Sequence, residues 1–418
     1  MAEIGHGGKP IVERILAPSE AAQKIQGLKA IEIRNQIANE VIDLAYGYFT
    51  PLQGFMTKAE VDSVCQKMHL PDGSVWSVPI LFDLSADDVK NFGVAPGVSV
   101  LLTYGGNPMA ILEVSEVFEL DKKALCQAIY GTDEAKHPGC ALTYRYKDKF
   151  VGGKITMVQK PVINSPYTPY FIPPLEMRKR FQEKGWKRVV AHQTRNVPHT
   201  GHEWLMKGAF FQTYAELPID KAYVGILVNA IIGEKRKGDY IDEAIILTQD
   251  ELRKSGYFSD ATHLTSLTMW DMRYAGPKEA VFHAALRTNL GLTHHMFGRD
   301  HAGVGTYYGA YDAHNLLATI QDELTITPVY SENWLYCPHC GEITSEGLCG
   351  HKKEWQMFSG TLIRSIVEDG VKPPRLIFRP EVFDLTLECG EKYGFGSPFV
   401  TDTYLEKRIP VFSMPPMK

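Results

Sequence analysis

The pattern of apolar and polar positions changes character along the chain. Between Trp186 and Phe297 two apolar runs, residues 189–191 and 222–232, and two short uncharged ones, 263–269 and 293–297, are separated by stretches with helical periodicity. The runs read as buried strands, and residues 200–214, 241–255 and 277–289 as helices. Strands alternating with helices of that length predict a parallel, doubly wound sheet. Residues 1–163 have a different texture, read as mostly strands and turns with helical character only at 20–24 and 32–44. Residues 75–82 predict a strand, and 98–103 with 109–118 a hairpin across Tyr104-Gly105-Gly106-Asn107-Pro108. This half is expected to form a small barrel that packs on the α/β half. Residues 165–174 hold Pro166, Pro169, Pro173 and Pro174 and read as the boundary, with Pro174 opening a helix over 175–184. The expected domains are 1–166, 167–327 and 328–418.

The candidate chemistry sits where two of the strands end. After residues 189–191 come Gln193-Thr194-Arg195-Asn196, then Val197, Pro198 and His199, then Thr200-Gly201-His202-Glu203. The last four have the Ser/Thr-x-x-Glu form of a capping box and predict a helix start. A strand, a polar loop and a helix N-terminus in that order is where an open α/β sheet places its ligand. Free N–H groups and the macrodipole there favour an anion. Arg195 offers a planar fork for a tetrahedral oxyanion, and Gln193 and Asn196 neutral donors. His199 and His202 lie three apart, so both rings could face one phosphate, with Gly201 allowing close backbone approach. A second polar turn, Gly298-Arg299-Asp300-His301-Ala302-Gly303, follows the run 293–297. Its glycines suit a tight turn, Arg299 supplies charge and His301 a donor.

Composition narrows the class. The chain has 418 residues, a net charge of −5 and 44% hydrophobic content, which suits a globular protein and argues against a broad nucleic-acid-binding surface. No run reaches the ~18 apolar residues of a membrane span, and the first residues lack an apolar signal core, so a cytoplasmic protein is expected. No Gly-x-x-x-x-Gly-Lys-Ser/Thr occurs, so ATP would not sit on a P-loop.

Seven cysteines, four of them scattered singly, do not form a disulfide framework. The other three, Cys337, Cys340 and Cys349, lie with His339 and His351 in a Cys-Pro-His-Cys…Cys-Gly-His pattern that suits tetrahedral zinc. Four protein ligands would leave no open position, so the site reads as structural. His351 is the preferred fourth ligand and His339 the alternative.

Gln193-Thr194-Arg195-Asn196-x-x-His199-x-x-His202 resembles the signature of the ATP sulfurylase (sulfate adenylyltransferase) family, here of the prokaryotic zinc-bearing type. Gly298–Gly303, the stretch 272–277, the loop 47–56 and residues 358–364 are similar to further motifs of that family. The resemblance implies an N-terminal PUA-like β-barrel, a central nucleotidylyl-transferase domain and a small C-terminal zinc-bearing domain. It implies conversion of ATP and sulfate to adenosine 5′-phosphosulfate and pyrophosphate, with Mg²⁺ carried on ATP, and self-association. By motif position Gln193, Arg195 and Ala302 would hold sulfate, and Thr194, Arg195, Asn196, His199 and His202 would be catalytic. ATP would meet Arg195, Asn196, Val197, Pro198, His199, His202, Gly298, Arg299, Asp300, His301 and Val329. The missing P-loop and the short stretch after Arg364 lead to the expectation of no fused adenylylsulfate-kinase domain of the kind some relatives carry. Two other readings fit parts of the pattern: a nucleotidylyltransferase with a different acceptor, and an RNA-binding protein pairing a PUA-like barrel with a zinc knuckle.

Overall fold

The computed structural model describes residues 3–215, 223–358 and 360–417; Ala222, at the start of an expected strand, and Ser359 lie outside them. The N-terminal half holds β1 (Ala30–Glu32), β2 (Gly54–Phe55), β3 (Asp83–Leu84), β4 (Ser99–Tyr104), β5 (Asn107–Phe118) and β6 (Lys149–Met157). They form one sheet in the order β1-β4-β5-β6-β2, with β3 also on β6. The hairpin forms as expected, Leu101 facing Ile111 and Tyr104 facing Asn107.

Two expectations for this half need correction. Helices Lys58–Lys67, Ala86–Phe92, Lys122–Tyr130 and Pro138–Arg145 also occur here. They are short, seven to ten residues, but Thr57 with Glu60 and Ser85 with Asp88 form capping boxes that mark two of their starts. Residues 75–82 are not a strand; only Val75 bridges His69. The run is apolar because it threads the contact between the two halves. Trp76 packs on Phe282 with ring centroids 5.4 Å apart and on Phe49 at 6.2 Å, and Ser77 Oγ donates to the Lys278 carbonyl. Burial on every side selects apolar residues without any ladder.

The central domain holds β8 (Arg188–Thr194), β9 (Val224–Ile232), β10 (His263–Met269), β11 (His294–Phe297) and β12 (Thr327–Tyr330), all parallel, in the order β10-β9-β8-β11-β12. β9 is buried at every position, as a strand covered on both faces must be. Helices Thr200–Ala215, Asp242–Lys254 and Pro277–Asn289 connect the strands. The strand order reverses between β8 and β11, so the crevice beyond their carboxyl ends is the sheet's switch point. The boundary expected after residue 327 falls inside β12, so the edge strand of this sheet crosses it.

Beyond β12, β13 (Trp334–Cys337), β14 (Glu342–Ser345) and β15 (Gln356–Met357) form a small antiparallel sheet. It rests on helix Thr200–Ala215, where Trp334 stacks on Trp204 at 5.3 Å. Gly208 makes room for it, since a Cβ there would lie 3.0 Å from Trp334 Cζ2. The chain then returns: β16 (Phe412–Ser413) pairs with β7 (Val162–Ile163), beside the proline-rich boundary.

Candidate active site and metal centre

Both polar clusters lie at the switch point. Gln193 and Thr194 are the last residues of β8, and Gly298 follows β11 directly. Thr194 Oγ1 accepts the Asn196 N–H at 3.0 Å, which folds the turn, and the Asn196 carbonyl accepts from Gln249 Nε2 at 2.9 Å. Thr194 is therefore engaged in holding the loop. Arg195 lies along the outer wall, its Nη2 donating to the Glu234 carbonyl at 3.0 Å and lying 3.5 Å from Asp239 Oδ2. Its guanidinium also faces the Tyr274 ring, 5.8 Å from the centroid.

The start of the next helix departs from the expected capping box. The helix begins at Thr200, so its cap is His199, whose Nδ1 accepts the Gly201 N–H at 3.1 Å. His202 Nδ1 in turn accepts the His199 N–H at 3.4 Å. Glu203 takes no part. It is fully buried, and its carboxylate accepts from Arg379 Nε and Nη2 at 2.9–3.1 Å. An acid at this place binds a distant arginine instead of a backbone N–H because the helix start is covered by the segment around Ile377. Gly201 also serves differently from the expectation, since a Cβ there would meet His199 Cε1 at 2.9 Å and Phe358 at 3.0 Å. The glycine admits two rings rather than a ligand.

The histidine pair has a defined protonation. Burial pushes His202 down to about 4 and, with His202 and His192 nearby, holds His199 well below the ordinary range. Both are neutral at pH 7. Because each Nδ1 accepts a backbone N–H, each ring carries its proton on Nε2. The rings stand 3.9 Å apart, with Phe358 stacked on His199 at 5.5 Å.

These rings line a cleft of about 290 Å³ together with Asn196, Val197, Gly298 and Arg299. Its far wall comes from the small sheet and the segment beyond it: Asn333, Trp334, Met357 and Phe358. Of the residues expected to meet ATP, Asn196, Val197, His199, His202, Gly298 and Arg299 line this cleft. Arg195, Pro198, Asp300, His301 and Val329 lie around it without lining it; Val329 is buried within β12. Phe358 opens the stretch 358–364 already singled out in the sequence, whereas Asn333, Trp334 and Met357 carry no local motif and were not legible there.

The second turn is held in a demanding conformation. Asp300 and Ala302, rather than its glycines, take left-handed backbone, with φ of 56° and 55°. An alanine there costs ~1–2 kcal/mol, and such residues cluster at ligand sites. Gly276 N–H donates to the Ala302 carbonyl and Asp300 N–H to the Ala310 carbonyl, fixing the turn. His301 points inward: its Nε2 lies 3.1 Å from His283 Nδ1, and burial holds it well below the ordinary histidine range. Gln193 meets the same group, with Nε2 3.0 Å from His283 Nδ1 and Oε1 accepting from Arg287 Nη2 at 2.5 Å. So Gln193 and His301, far apart in the chain, share one buried partner.

Cys337, Cys340, Cys349 and His351 converge, their ligand atoms all within 4.8 Å of one another. Sulfur to His351 Nδ1 distances are 3.8, 3.3 and 3.6 Å, and Cys340 and Cys349 sulfurs are 3.8 Å apart. A tetrahedral ion with metal–sulfur bonds of ~2.3 Å and a metal–nitrogen bond of ~2.0 Å has edges of roughly 3.5–3.8 Å. The cluster has that size. His351 is the histidine in it, while the His339 ring lies tilted beside it, centroids 4.0 Å apart.

Comparison with known proteins agrees with this architecture. The sequence profile of the ATP-sulfurylase family matches residues 168–388, and that of a PUA-like domain matches 4–160. The chain is 37% identical to a sulfate adenylyltransferase of Archaeoglobus fulgidus, over 96% of this chain and 94% of the relative. It is 38% identical to one of Aeropyrum pernix, over 91% and 96%. A solved structure described as a hexameric APS kinase from Thiobacillus denitrificans shares the fold at a TM-score of 0.70. That likeness covers 92% of this chain and 68% of the other, at 19% identity. By profile and by near full-length similarity, on the two-motif switch-point site described above, the chain belongs to the ATP sulfurylase family.

Proposed function

We propose that the protein catalyses the reversible transfer of an adenylyl group from ATP to sulfate, giving adenosine 5′-phosphosulfate and pyrophosphate. The observation that carries this reading is the meeting of the two motif turns at the switch point, with neutral Nε2–H donors at a helix N-terminus. Sulfate is fully ionised at neutral pH, so its attack on the α-phosphate requires no base. The barrier lies in bringing two anions together. Charge neutralisation and in-line positioning are then the catalytic needs, and a site of Arg, Gln, Asn and neutral His supplies them without a carboxylate acid–base pair.

In this reading Gln193, Arg195 and Ala302 hold sulfate, and Arg195 and Asn196 neutralise and orient the junction of sulfate and α-phosphate. His199 and His202 donate from Nε2 to the phosphate chain and the leaving pyrophosphate. Thr194 contributes by shaping the turn. The nucleotide occupies the cleft with Gly298–His301 along one side and the Phe358 wall opposite. Mg²⁺ would arrive on the triphosphate, and the cysteine–histidine cluster is a group that could hold a second kind of metal ion. Zinc fits the cluster and would act structurally, tying β13 and β14 to the loop that precedes the Phe358 wall. The protein is expected to work in the cytoplasm and to self-associate, in keeping with a structural neighbour that is itself hexameric.

The test is exchange of labelled pyrophosphate into ATP with and without sulfate. Exchange that depends on sulfate supports direct transfer. Exchange unaffected by sulfate would point to another acceptor.

A further inference from the structure

Arg287 is an unusual residue for its place. It lies on helix Pro277–Asn289 with no exposed surface, and among the described residues no carboxylate forms an ion pair with it. Its Nε and Nη1 have no hydrogen-bond partner, and Asp43, the acid in its surroundings, has two unpartnered carboxylate oxygens of its own. The one side-chain hydrogen bond that Arg287 makes among the described residues is from Nη2 to Gln193 Oε1. Burying an arginine for that single contact is costly unless the contact serves the site.

The contact settles a question of orientation. A guanidinium has donors only, so the Gln193 oxygen must face Arg287 and its NH₂ must face the other way. One of those N–H groups meets His283 Nδ1 at 3.0 Å, and His283 Nε2 lies 3.7 Å from Glu279 Oε1. Glu279 also accepts from Trp270 Nε1, Arg273 N–H and Ala275 N–H, so it anchors the loop before the helix. Arg287 thus fixes the Gln193 amide, and the amide makes His283 Nδ1 an acceptor, toward which His301 Nε2 also lies at 3.1 Å. The second N–H of Gln193 is what remains for a bound anion.

We propose that Arg287 is a positioning and specificity residue: it locks the Gln193 amide so that the oxyanion meets an N–H donor and no acceptor. This rests on the assignment of sulfate to Gln193 above. Sulfate carries no proton at neutral pH and is satisfied by donors alone. Hydrogen phosphate has the same shape but must place one P–OH against an acceptor, and a locked amide offers none. Arg287 thereby sets the preference for a proton-free tetrahedral dianion without touching it.

The experiment measures sulfate-dependent pyrophosphate exchange into ATP, with inorganic phosphate as competing ion. Loss of one hydrogen bond to a charged group corresponds to ~10–100-fold in affinity. Arg287→Met should raise the sulfate KM by about that factor, leave the ATP KM within ~3-fold, and lower the ratio of phosphate Ki to sulfate KM. Arg287→Lys, still a cation and donor, should restore the ratio. In a Gln193→Ala background Arg287→Met should add less than ~3-fold, because both act through one amide. Gln193→Glu keeps an oxygen toward Arg287 and puts an oxygen where the NH₂ was, so it tests the idea even if Arg287→Met does not fold. It should lose sulfate and gain relative tolerance of phosphate. Equal changes in both KM values, additive effects in the double variant, or a Gln193→Glu enzyme with wild-type sulfate KM would overturn the proposal. A wild-type protein without sulfate-dependent exchange would instead remove the functional assignment beneath it.

Discussion

The pairing of Glu203 with Arg379 makes a prediction that separates two physical roles for one acid. Glu203 is the last residue of a Thr-x-x-Glu pattern, where glutamine would serve as well as glutamate in a capping box. The structure gives it another task. Its carboxylate is fully buried and takes three contacts of 2.9–3.1 Å from Arg379, whose guanidinium also lies 3.7 Å over the Tyr257 ring. Arg379→Met leaves that carboxylate buried without a partner, a change that costs about 3–5 kcal/mol. Glu203→Gln removes the charge but keeps the shape. It weakens charge-assisted hydrogen bonds worth about 1.5–3 kcal/mol, and the partly exposed Arg379 can turn to water. The predicted order of stability is wild type, then Glu203→Gln, then Arg379→Met. Urea unfolding read by tryptophan fluorescence is the assay, since Trp204 adjoins Glu203 and stacks on Trp334. A Glu203→Gln protein as stable as wild type would show that the acid acts as a cap and that the ion pair contributes nothing.

Three further outcomes are expected. Cys337→Ser should lose a zinc equivalent by metal analysis and melt earlier, while the folded fraction keeps activity; a metal-free protein of unchanged stability but no activity would make the metal catalytic. Arg195→Lys keeps a cation but cannot hold the Glu234 carbonyl and a second oxygen in one plane, so turnover should fall on the scale of ~10²–10³ seen for a lost transition-state donor, equally in both directions; near wild-type rates would reduce Arg195 to a point charge. Stability should be maximal above pH ~6.5 and fall toward pH ~4, because the unfolded chain binds protons there that the buried histidines refuse. His263, fully buried and pushed down to about 4 chiefly by burial, contributes on the order of 3 kcal/mol to this loss, and urea midpoints that stay level between pH ~7 and ~4.5 would contradict it.

What could be read from the sequence follows from where information is local. The central strands were legible because both faces are covered, which leaves runs such as His263–Met269 and Val224–Ile232 nearly free of charge. The helices between them announce their ends, as Pro277 does at the first position of its helix. The same rule misled at residues 75–82, where apolar character comes from burial between two domains and not from a sheet. The short helices of the N-terminal half are too brief to show a clear periodicity, although Asp121 and Ser85 are caps. In the site, the two motif turns are compact in sequence and were found. Arg287, His283 and Arg379 come from helices and loops far away, and only the three-dimensional contact gives them meaning. The cysteine–histidine cluster is an intermediate case: the spacing of the three cysteines points to it, but only the 3.3–3.8 Å distances to Nδ1 put His351 rather than His339 within it.

In the proposed function one site, formed by the two turns at the switch point, joins sulfate and the α-phosphate. The most direct measurement runs the reaction in the direction where its product is unambiguous: purified protein is given adenosine 5′-phosphosulfate, pyrophosphate and Mg²⁺, and ATP is followed over time. ATP should form in step with sulfate released, and neither should appear with His202→Ala and Arg195→Ala proteins that remain folded. Sulfate release without ATP, or ATP formation undiminished in those two variants, would contradict the proposed function.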